Sequence, residues 1–276
     1  MKVLLILTGF ADEISSKLEE QLEILTSEGI SHLELRGVYG KNVLELSDDE
    51  LSLLKVTLES KGIKVSSIGS PIGKYPVQEP FGPELERVKR ALSIAKHLEA
   101  PYIRIFSYFI PDNEAPENYR DEVLSRMKQL SERAEQEQIT LLLENESGVY
   151  GNTDERCLDI LQHCSSSNLR LAFDPGNFVM NEIMPMCEAY PLLSSYLEYV
   201  HIKDADRQAR MFVPAGEGDG EFTSFVKALK ERGFSGYLSI EPHLHKAFPD
   251  HDGPERFRIA ANALKRLLQQ EGLAWS

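Results

Sequence analysis

The sequence predicts one α/β domain, a (β/α)8 TIM barrel that spans residues 1–276. Two observations lead to this fold. Eight short apolar runs alternate with amphipathic segments of helix length, which is the pattern of a parallel sheet. Four runs in the second half recur at spacings of 30, 27 and 40 residues, each about one strand–helix unit. Eight units favour a closed barrel, and a doubly wound open sheet is the lesser alternative.

The predicted strands are short runs of aliphatic and aromatic residues. Between them, leucines, alanines and phenylalanines recur at helical spacing and indicate helices that pack one face on the sheet. The strands are predicted at residues 3–7, 32–35, 64–68, 102–106, 140–143, 169–173, 199–202 and 237–240.

Capping signals predict where several helices begin. Ser16 with Glu19, and Ser47 with Glu50, have the spacing of a capping box. Pro83 is predicted at the first position of the third helix, where a missing N–H costs nothing.

The connections on the two sides of the sheet differ in length. Helix-to-strand joints are short, and Gly29, Gly62 and Gly233 suit the left-handed position that ends a helix. Strand-to-helix segments are longer, at residues 70–82, 107–116, 176–187, 204–221 and 243–253. Because barrel active sites form from the loops that follow the strands, we expect the site at that end.

Composition and the lengths of the apolar runs indicate which partners and which location to expect. The formal net charge of −14 and the pI near 5.0 disfavour binding to a phosphate backbone, so no nucleic-acid partner is expected. The three cysteines follow no CxxC pattern, which is typical of a reduced compartment. The first apolar run is too short for a signal peptide, and no run approaches the ~20 apolar residues of a membrane span. A cytoplasmic location without membrane association is therefore expected.

Four of the predicted strands end in a side chain that can bind a metal ion. These side chains are the carboxylates of Glu144, Asp174 and Glu241 and the imidazole of His201. Such a set on one rim suits one divalent ion, such as Mn²⁺, Co²⁺, Mg²⁺ or Zn²⁺. Glu146 points to the same side as Glu144 if its strand continues, so the residues alone leave that choice open.

The same residues indicate a reaction. A divalent ion that chelates a carbonyl and an adjacent hydroxyl stabilises the enediolate formed when the neighbouring carbon loses a proton. Glu144 and Glu241 come from different strands and would approach the substrate from opposite sides as proton carriers. This arrangement is typical of ketose epimerisation or aldose–ketose isomerisation.

The motifs around these residues are similar to those of the xylose-isomerase-like barrel superfamily, with its sugar phosphate isomerases and epimerases. The similarity covers essentially the whole chain. It implies one metal ion bound by the four residues above, with Glu144 rather than Glu146 as ligand and with Glu144 and Glu241 as the acid/base pair. The motifs are Leu142-Leu143-Glu144-Asn145, Phe173-Asp174-Pro175-Gly176-Asn177, Val200-His201-Ile202-Lys203-Asp204 and Ser239-Ile240-Glu241-Pro242.

The resemblance also points to substrate-binding residues. Ketose 3-epimerases carry an arginine six residues after the ligand histidine, where this chain has Arg207. A solvated loop arginine is the alternative. Those enzymes have a histidine where this chain has Asn177, which can hydrogen-bond a hydroxyl but cannot shuttle a proton. His243 is a third candidate, and the expected substrate is a small polyhydroxy carbohydrate, a sugar, a sugar phosphate or a cyclitol.

Three other functions are alternatives for this scaffold. A lyase that acts on a keto-inositol or a 3-keto-glycoside would use the same metal site. The nuclease endonuclease IV shares the superfamily, but its three-zinc site needs histidines where this chain has Arg36, Ser70, Ser107 and Asn177. A non-catalytic sugar-binding barrel would not need the acid/base pair.

Trp275 has two interpretations, a homodimer contact or a cover for the barrel.

Overall fold

The computed structural model describes residues 4–276 and has eight parallel strands at its centre. The strands follow one another in the sheet in the order β1-β8-β7-β6-β5-β4-β3-β2. All eight predicted strands are confirmed, although Val3 of the first prediction lies outside the described residues. The strands are β1 (Leu5–Gly9), β2 (His32–Leu35), β3 (Lys64–Gly69), β4 (Tyr102–Ile105), β5 (Thr140–Glu144), β6 (Leu169–Phe173), β7 (Leu197–Ile202) and β8 (Gly236–Ile240).

The barrel is nearly closed, because β1 and β2 lie side by side. The end of the chain contributes to this region: Ser276 donates a backbone hydrogen bond to Leu5 (3.0 Å) and accepts one from Leu7 (2.9 Å). Trp275, which precedes it, is partly buried against the core. The structure thus places Trp275 as a cover for the barrel, and the homodimer contact stays a prediction.

Helices alternate with the strands as predicted. The helices are α1 (Leu18–Ser27), α2 (Asp48–Lys61), α3 (Phe81–His97), α4 (Arg120–Gln136), α5 (Asp154–Cys164), α6 (Pro175–Met180), α7 (Tyr190–Leu193), α8 (Phe222–Glu231) and α9 (Gly253–Gln270). Among the helices of residues 4–276, none has both the length and the apolar character that a membrane crossing requires.

The predicted helix starts were right once and wrong twice. The Ser47–Glu50 capping box is present at the start of α2. The Ser16–Glu19 box is wrong, because α1 begins only after Lys17 and has no side-chain cap. Pro83 is not the first residue of α3, which begins at Phe81; a proline is tolerated there because the first-turn N–H groups lack intrahelical partners.

The joint glycines have the predicted conformation. Gly29, Gly62 and Gly233 have φ of 69°, 66° and 65°, in the left-handed region that glycine occupies without steric cost. These short turns return each helix directly to the next strand and leave the loops at the opposite end to form the site.

The interior of the barrel is layered. Inside the barrel, Leu142, Ala172 and Tyr199 form a small buried cluster with Tyr102 and Tyr237. Because successive side chains of a strand point to opposite faces, a residue two positions further on points to the same interior. Two residues beyond Leu142, Ala172 and Tyr199 stand Glu144, Asp174 and His201. A layer of charged residues therefore lies directly above an apolar one.

The loops after β3, β4 and β5 are joined into one wall of the barrel mouth by backbone hydrogen bonds. Phe106 donates to Ile72 (2.8 Å), and Ile110 donates to Gly148 (3.1 Å). At Gly73, which has φ of 81°, a Cβ would lie 2.1 Å from the carbonyl oxygen of Phe106. Only glycine fits there, so this contact sets how closely two of the loops approach.

Candidate metal centre

The structure brings Glu144, Asp174, His201 and Glu241 together at the mouth of the barrel. One ligand atom from each lies within 4.8 Å of the others, and all four residues are buried. Glu144 ends β5, Asp174 follows β6, His201 lies in β7 and Glu241 follows β8. These four strands are consecutive in the sheet, so equivalent positions at their ends must be neighbours.

The Asp174 side chain is held in place through one of its two oxygens. Its Oδ1 accepts a hydrogen bond from the backbone N–H of Asn177 (2.8 Å), which caps the start of α6. The Asn145 side chain fixes the Asp174 backbone, because it accepts from the N–H (3.0 Å) and donates to the carbonyl (2.9 Å). The remaining oxygen, Oδ2, faces the other three residues of the cluster.

His201 is positioned between two carboxylates. Its Nε2 lies 3.3 Å from Glu34 Oε2, and its Nδ1 lies 3.1 Å from Glu144 Oε1. Phe10 and Tyr199 pack against the His201 ring in T-shaped arrangements, with centroid distances of 5.2 and 5.8 Å. Glu34 thus faces one ring nitrogen and leaves Nδ1 directed at the cluster, as second-layer carboxylates do at metal-binding histidines.

Each of the two candidate acid/base glutamates is paired with an arginine through its outer oxygen. Arg104 Nη1 donates to Glu144 Oε2 (2.6 Å), and Arg36 Nη1 donates to Glu241 Oε1 (2.8 Å). Arg104 is buried, whereas the Arg36 side chain is 22 % exposed. The aromatic ring of Phe10 lies against both guanidinium groups.

Lys203 reaches the same centre from the residue after β7. Its Nζ lies 2.8 Å from Asp174 Oδ2 and 2.7 Å from Glu241 Oε2. It is buried, and the ring of Phe212 lies 5.3 Å from Nζ. Phe212 belongs to a hairpin formed by Asp204–Asp206 and Met211–Val213, which follows β7.

The four candidate ligands titrate differently because their neighbours differ. Burial opposes ionisation of Glu144 and Glu241, but adjacent cations outweigh it and hold both pKa values below the usual range: His201 and Arg104 for Glu144, and Lys203, His243 and Arg36 for Glu241. Burial raises the pKa of Asp174 to about 7, since repulsion by the two glutamates offsets much of the effect of Lys203. Burial acts against the charged form of His201, but Glu144 and Glu34 raise its pKa well above the usual value.

The residues present fit a divalent metal ion. Asp174 Oδ2 and His201 Nδ1 are buried and lie 3.9 Å apart, and within residues 4–276 neither makes a hydrogen bond of good geometry. Their charged neighbours, Lys203 Nζ at 2.8 Å and Glu144 Oε1 at 3.1 Å, leave this directional bonding capacity open to a further partner. Three carboxylates and one imidazole nitrogen are ligands that Mn²⁺, Mg²⁺, Co²⁺ or Zn²⁺ accept.

The predicted substrate-binding residues occupy different surroundings. Asn177 is buried and donates from its amide to Glu144 Oε1 (3.2 Å) and to the Asn145 carbonyl (2.9 Å). His243 adjoins the centre, with Nδ1 2.7 Å from Glu13 Oε1 and Nε2 3.6 Å from Glu241 Oε1. Arg207 lies on the rim: its guanidinium contacts the Met184 sulfur and its backbone N–H donates to Asp219.

The structure also distinguishes Glu144 from Glu146, a choice that the residues alone left open. Glu146 is outside the cluster and pairs with Lys74 (2.8 Å), whereas Glu144 is inside it. Glu34 is buried beside His201, and Arg36, two residues further along, pairs with Glu241.

Sequence reasoning assigned no role to Lys203 or Arg104. A signal for both was present, because each lies two residues from another inward-facing side chain, and strand periodicity then directs it into the barrel. Lys203 follows His201 by two residues, and Arg104 follows Tyr102 by two. A charged side chain at such a position cannot reach solvent and requires a partner inside the barrel.

Comparisons with known proteins agree with this architecture. A family model described as xylose isomerase-like TIM barrel matches residues 22–267. L-ribulose-5-phosphate 3-epimerase of Escherichia coli is 24 % identical over 233 residues, which cover 77 % of this chain and 81 % of that protein.

Two solved structures share the fold over nearly their full length. The IOLI protein with a bound zinc atom superposes with a TM-score of 0.78 at 19 % identity, over 98 % of this chain and 99 % of that one. A probable 3-DHS dehydratase from Bacillus anthracis superposes with a TM-score of 0.77 at 15 % identity, over 96 % and 99 % of the two chains.

Proposed function

Because the chain belongs to the xylose isomerase-like TIM barrel family, we propose that it is a metal-dependent epimerase or isomerase of a small sugar. The observation that carries the proposal is the buried cluster of Glu144, Asp174, His201 and Glu241 at the mouth of the barrel. The similarity to an L-ribulose-5-phosphate 3-epimerase supports a ketose or its phosphate as substrate. A cyclitol with the same keto-alcohol group would satisfy the same chemistry.

In this proposal the four residues hold one divalent ion, Mn²⁺, Co²⁺, Mg²⁺ or Zn²⁺. The bound ion would supply positive charge that stabilises the enediolate of a hydroxyketone. His201 would bind through Nδ1, because Glu34 faces its other nitrogen. Asp174 would bind through Oδ2, because Asn177 holds the other oxygen.

Glu144 and Glu241 are proposed to carry the proton. They stand on β5 and β8, with β6 and β7 between them, so a substrate between the two glutamates meets a carboxylate on either side. The cations beside each carboxylate hold both pKa values below the usual range, which leaves each group able to accept a proton. One glutamate would take the proton from one face of the carbon and later release it to solvent. The other, after taking up a proton from solvent, would deliver that proton to the opposite face.

The remaining contacts are assigned to substrate hydroxyl groups. His243 adjoins Glu241 and is partly exposed at the mouth, which supports a role in binding. Arg207 is proposed to reach the substrate from the rim, although its present contacts are with Met184 and Asp219. The Asn177 amide donates to Glu144, so Asn177 would contact a substrate hydroxyl next to that carboxylate. A small soluble carbohydrate is the proposed partner, and the cytoplasm the proposed location.

The experiment is incubation of the Mn²⁺-loaded protein with a panel of ketoses, ketose phosphates and keto-inositols in deuterium oxide. Deuterium bound to carbon in a product of unchanged composition supports epimerisation or isomerisation. Loss of water or of a glycosidic group would instead indicate a lyase, which begins from the same enediolate. Absence of exchange with every member of the panel, when Mn²⁺ binding is demonstrated, would contradict the proposal.

A further inference from the structure

We propose that Lys203 is a built-in counter-ion that competes with the divalent metal ion for Asp174 and Glu241. The inference rests on the metal site proposed above and concerns how tightly that site holds its ion. In this view the lysine stabilises the carboxylates of the metal-free protein and weakens metal binding, so that the ion is exchangeable.

The contacts of Lys203 are with candidate ligand residues. Its Nζ lies 2.8 Å from Asp174 Oδ2, 2.7 Å from Glu241 Oε2 and 3.9 Å from Glu144 Oε1. The side chain is only 2 % exposed, so water screens these charges little. The ammonium therefore interacts with all three carboxylates of the cluster.

The two arginines of the site bind differently. Arg104 holds Oε2 of Glu144, and Arg36 holds Oε1 of Glu241. The other oxygen of each glutamate faces His201 or Lys203. A metal ion at the centre leaves both of these ion pairs intact. Of the three cations, Lys203 is the one that shares its oxygens with the ion.

The surrounding chain makes space for this lysine. At Gly176 a Cβ would lie 2.6 Å from the carbonyl oxygen of Lys203 and 3.1 Å from its Cγ. Gly176 follows Asp174 by two residues, so the motif that supplies Asp174 also leaves room for the backbone and stem of Lys203. The ring of Phe212 lies 5.3 Å from Nζ.

Competition follows from the distances. A metal ion about 2.1 Å from Asp174 Oδ2 would lie at most about 5 Å from the ammonium, because both contact that one oxygen. Two positive charges that close in a buried site repel each other strongly. The ion must either displace the ammonium from the carboxylates or bind less tightly beside it.

The test measures Mn²⁺ binding by calorimetry after the protein has been freed of metal with a chelator. Lys203→Met removes the charge and keeps an unbranched stem, and we expect its Kd for Mn²⁺ to be lower than that of the wild type by about tenfold or more. Lys74→Met is the matched control, since Lys74 pairs with Glu146 on the rim and contacts none of the four ligands. Its Kd should stay within about twofold of the wild type.

Melting temperatures provide a second measurement. Metal-free Lys203→Met should melt below the metal-free wild type, and saturating Mn²⁺ should raise its melting temperature by more than it raises that of the wild type. If Lys203→Met does not fold without metal, Lys203→Gln repeats the comparison with a neutral side chain that can still donate to Asp174. Lys203→Arg keeps the charge and should bind Mn²⁺ no tighter than the wild type.

The outcomes are distinguishable. Tighter binding by the neutral variants but not by Lys203→Arg or the Lys74 control supports the proposal. Unchanged or weaker binding by the neutral variants, with the wild type binding Mn²⁺, overturns the role of Lys203 and leaves the metal site standing. Failure of both wild type and variants to bind Mn²⁺ overturns the proposed metal site as well.

Discussion

Arg104→Met tests whether the buried ion pair between Arg104 and Glu144 stabilises the folded protein. The Arg104 side chain is 5 % exposed and donates to Glu144 Oε2 at 2.6 Å. Its guanidinium also lies 4.3 Å from the ring centroid of Phe106 and 5.4 Å from that of Phe10. Methionine keeps an unbranched apolar stem between the two rings and removes the charge.

The cost can be estimated from these contacts. Removing one partner of a buried ion pair costs about 3–5 kcal/mol because the other charge stays buried and unpaired. Glu144 keeps His201 and the Asn177 amide on its second oxygen, at 3.1 and 3.2 Å, which favours the lower end of that range. Each lost cation–π contact adds up to about 2 kcal/mol at a desolvated site, part of which the methionine stem recovers by packing on the rings. We expect a net loss of at least about 3 kcal/mol.

For a chain of this length such a loss lowers the melting temperature by roughly 6–12 °C, measured by calorimetry in the presence of a chelator. Arg120→Met is the control: its side chain is 44 % exposed and pairs with Asp159 at 2.6 Å, so it should cost less than about 1 kcal/mol. Mn²⁺ should narrow the gap between Arg104→Met and the wild type, because the ion returns positive charge beside Glu144. An Arg104 variant no less stable than the Arg120 control would refute this account of the site.

Three further predictions concern the metal centre. Glu144→Gln and Glu241→Gln should each reduce turnover by at least about 100-fold and weaken Mn²⁺ binding, with circular dichroism unchanged; near-normal exchange of substrate deuterium in either variant would exclude the acid/base pair. Glu34→Gln should raise the Kd for Mn²⁺ by about 10- to 100-fold, because it removes the charge that faces His201 Nε2, and an unchanged Kd in calorimetry would rule out that positioning role. Mn²⁺ affinity should rise from pH 6 to pH 8, because burial raises the pKa of Asp174 to about 7 and the protonated carboxyl must lose its proton to bind metal; equal affinities at the two pH values would contradict this.

The positions of the four candidate ligands were predictable because they depend on local and periodic features. Strand periodicity decides which side chains face the barrel interior, and the order of strand–helix units decides which strands are neighbours. Glu144, Asp174, His201 and Glu241 needed no more than that. The helix starts near Ser16 and Pro83 were wrong, because a capping pattern is a weak signal and the preceding turn decides where the first hydrogen bond forms.

Residue patterns along the chain were enough to predict the barrel, the end at which the long loops gather and the residue types available there. The tertiary structure decided which charges meet: Arg104 with Glu144 across 40 residues of chain, and Arg36 with Glu241 across 205. It also placed Lys203 against Asp174 and Glu241 and turned the Asn177 amide toward Glu144. The difference comes from the separation along the chain over which each feature acts. Periodicity acts between neighbours in the chain, whereas an ion pair depends on side-chain conformations and distances set by the whole closed barrel.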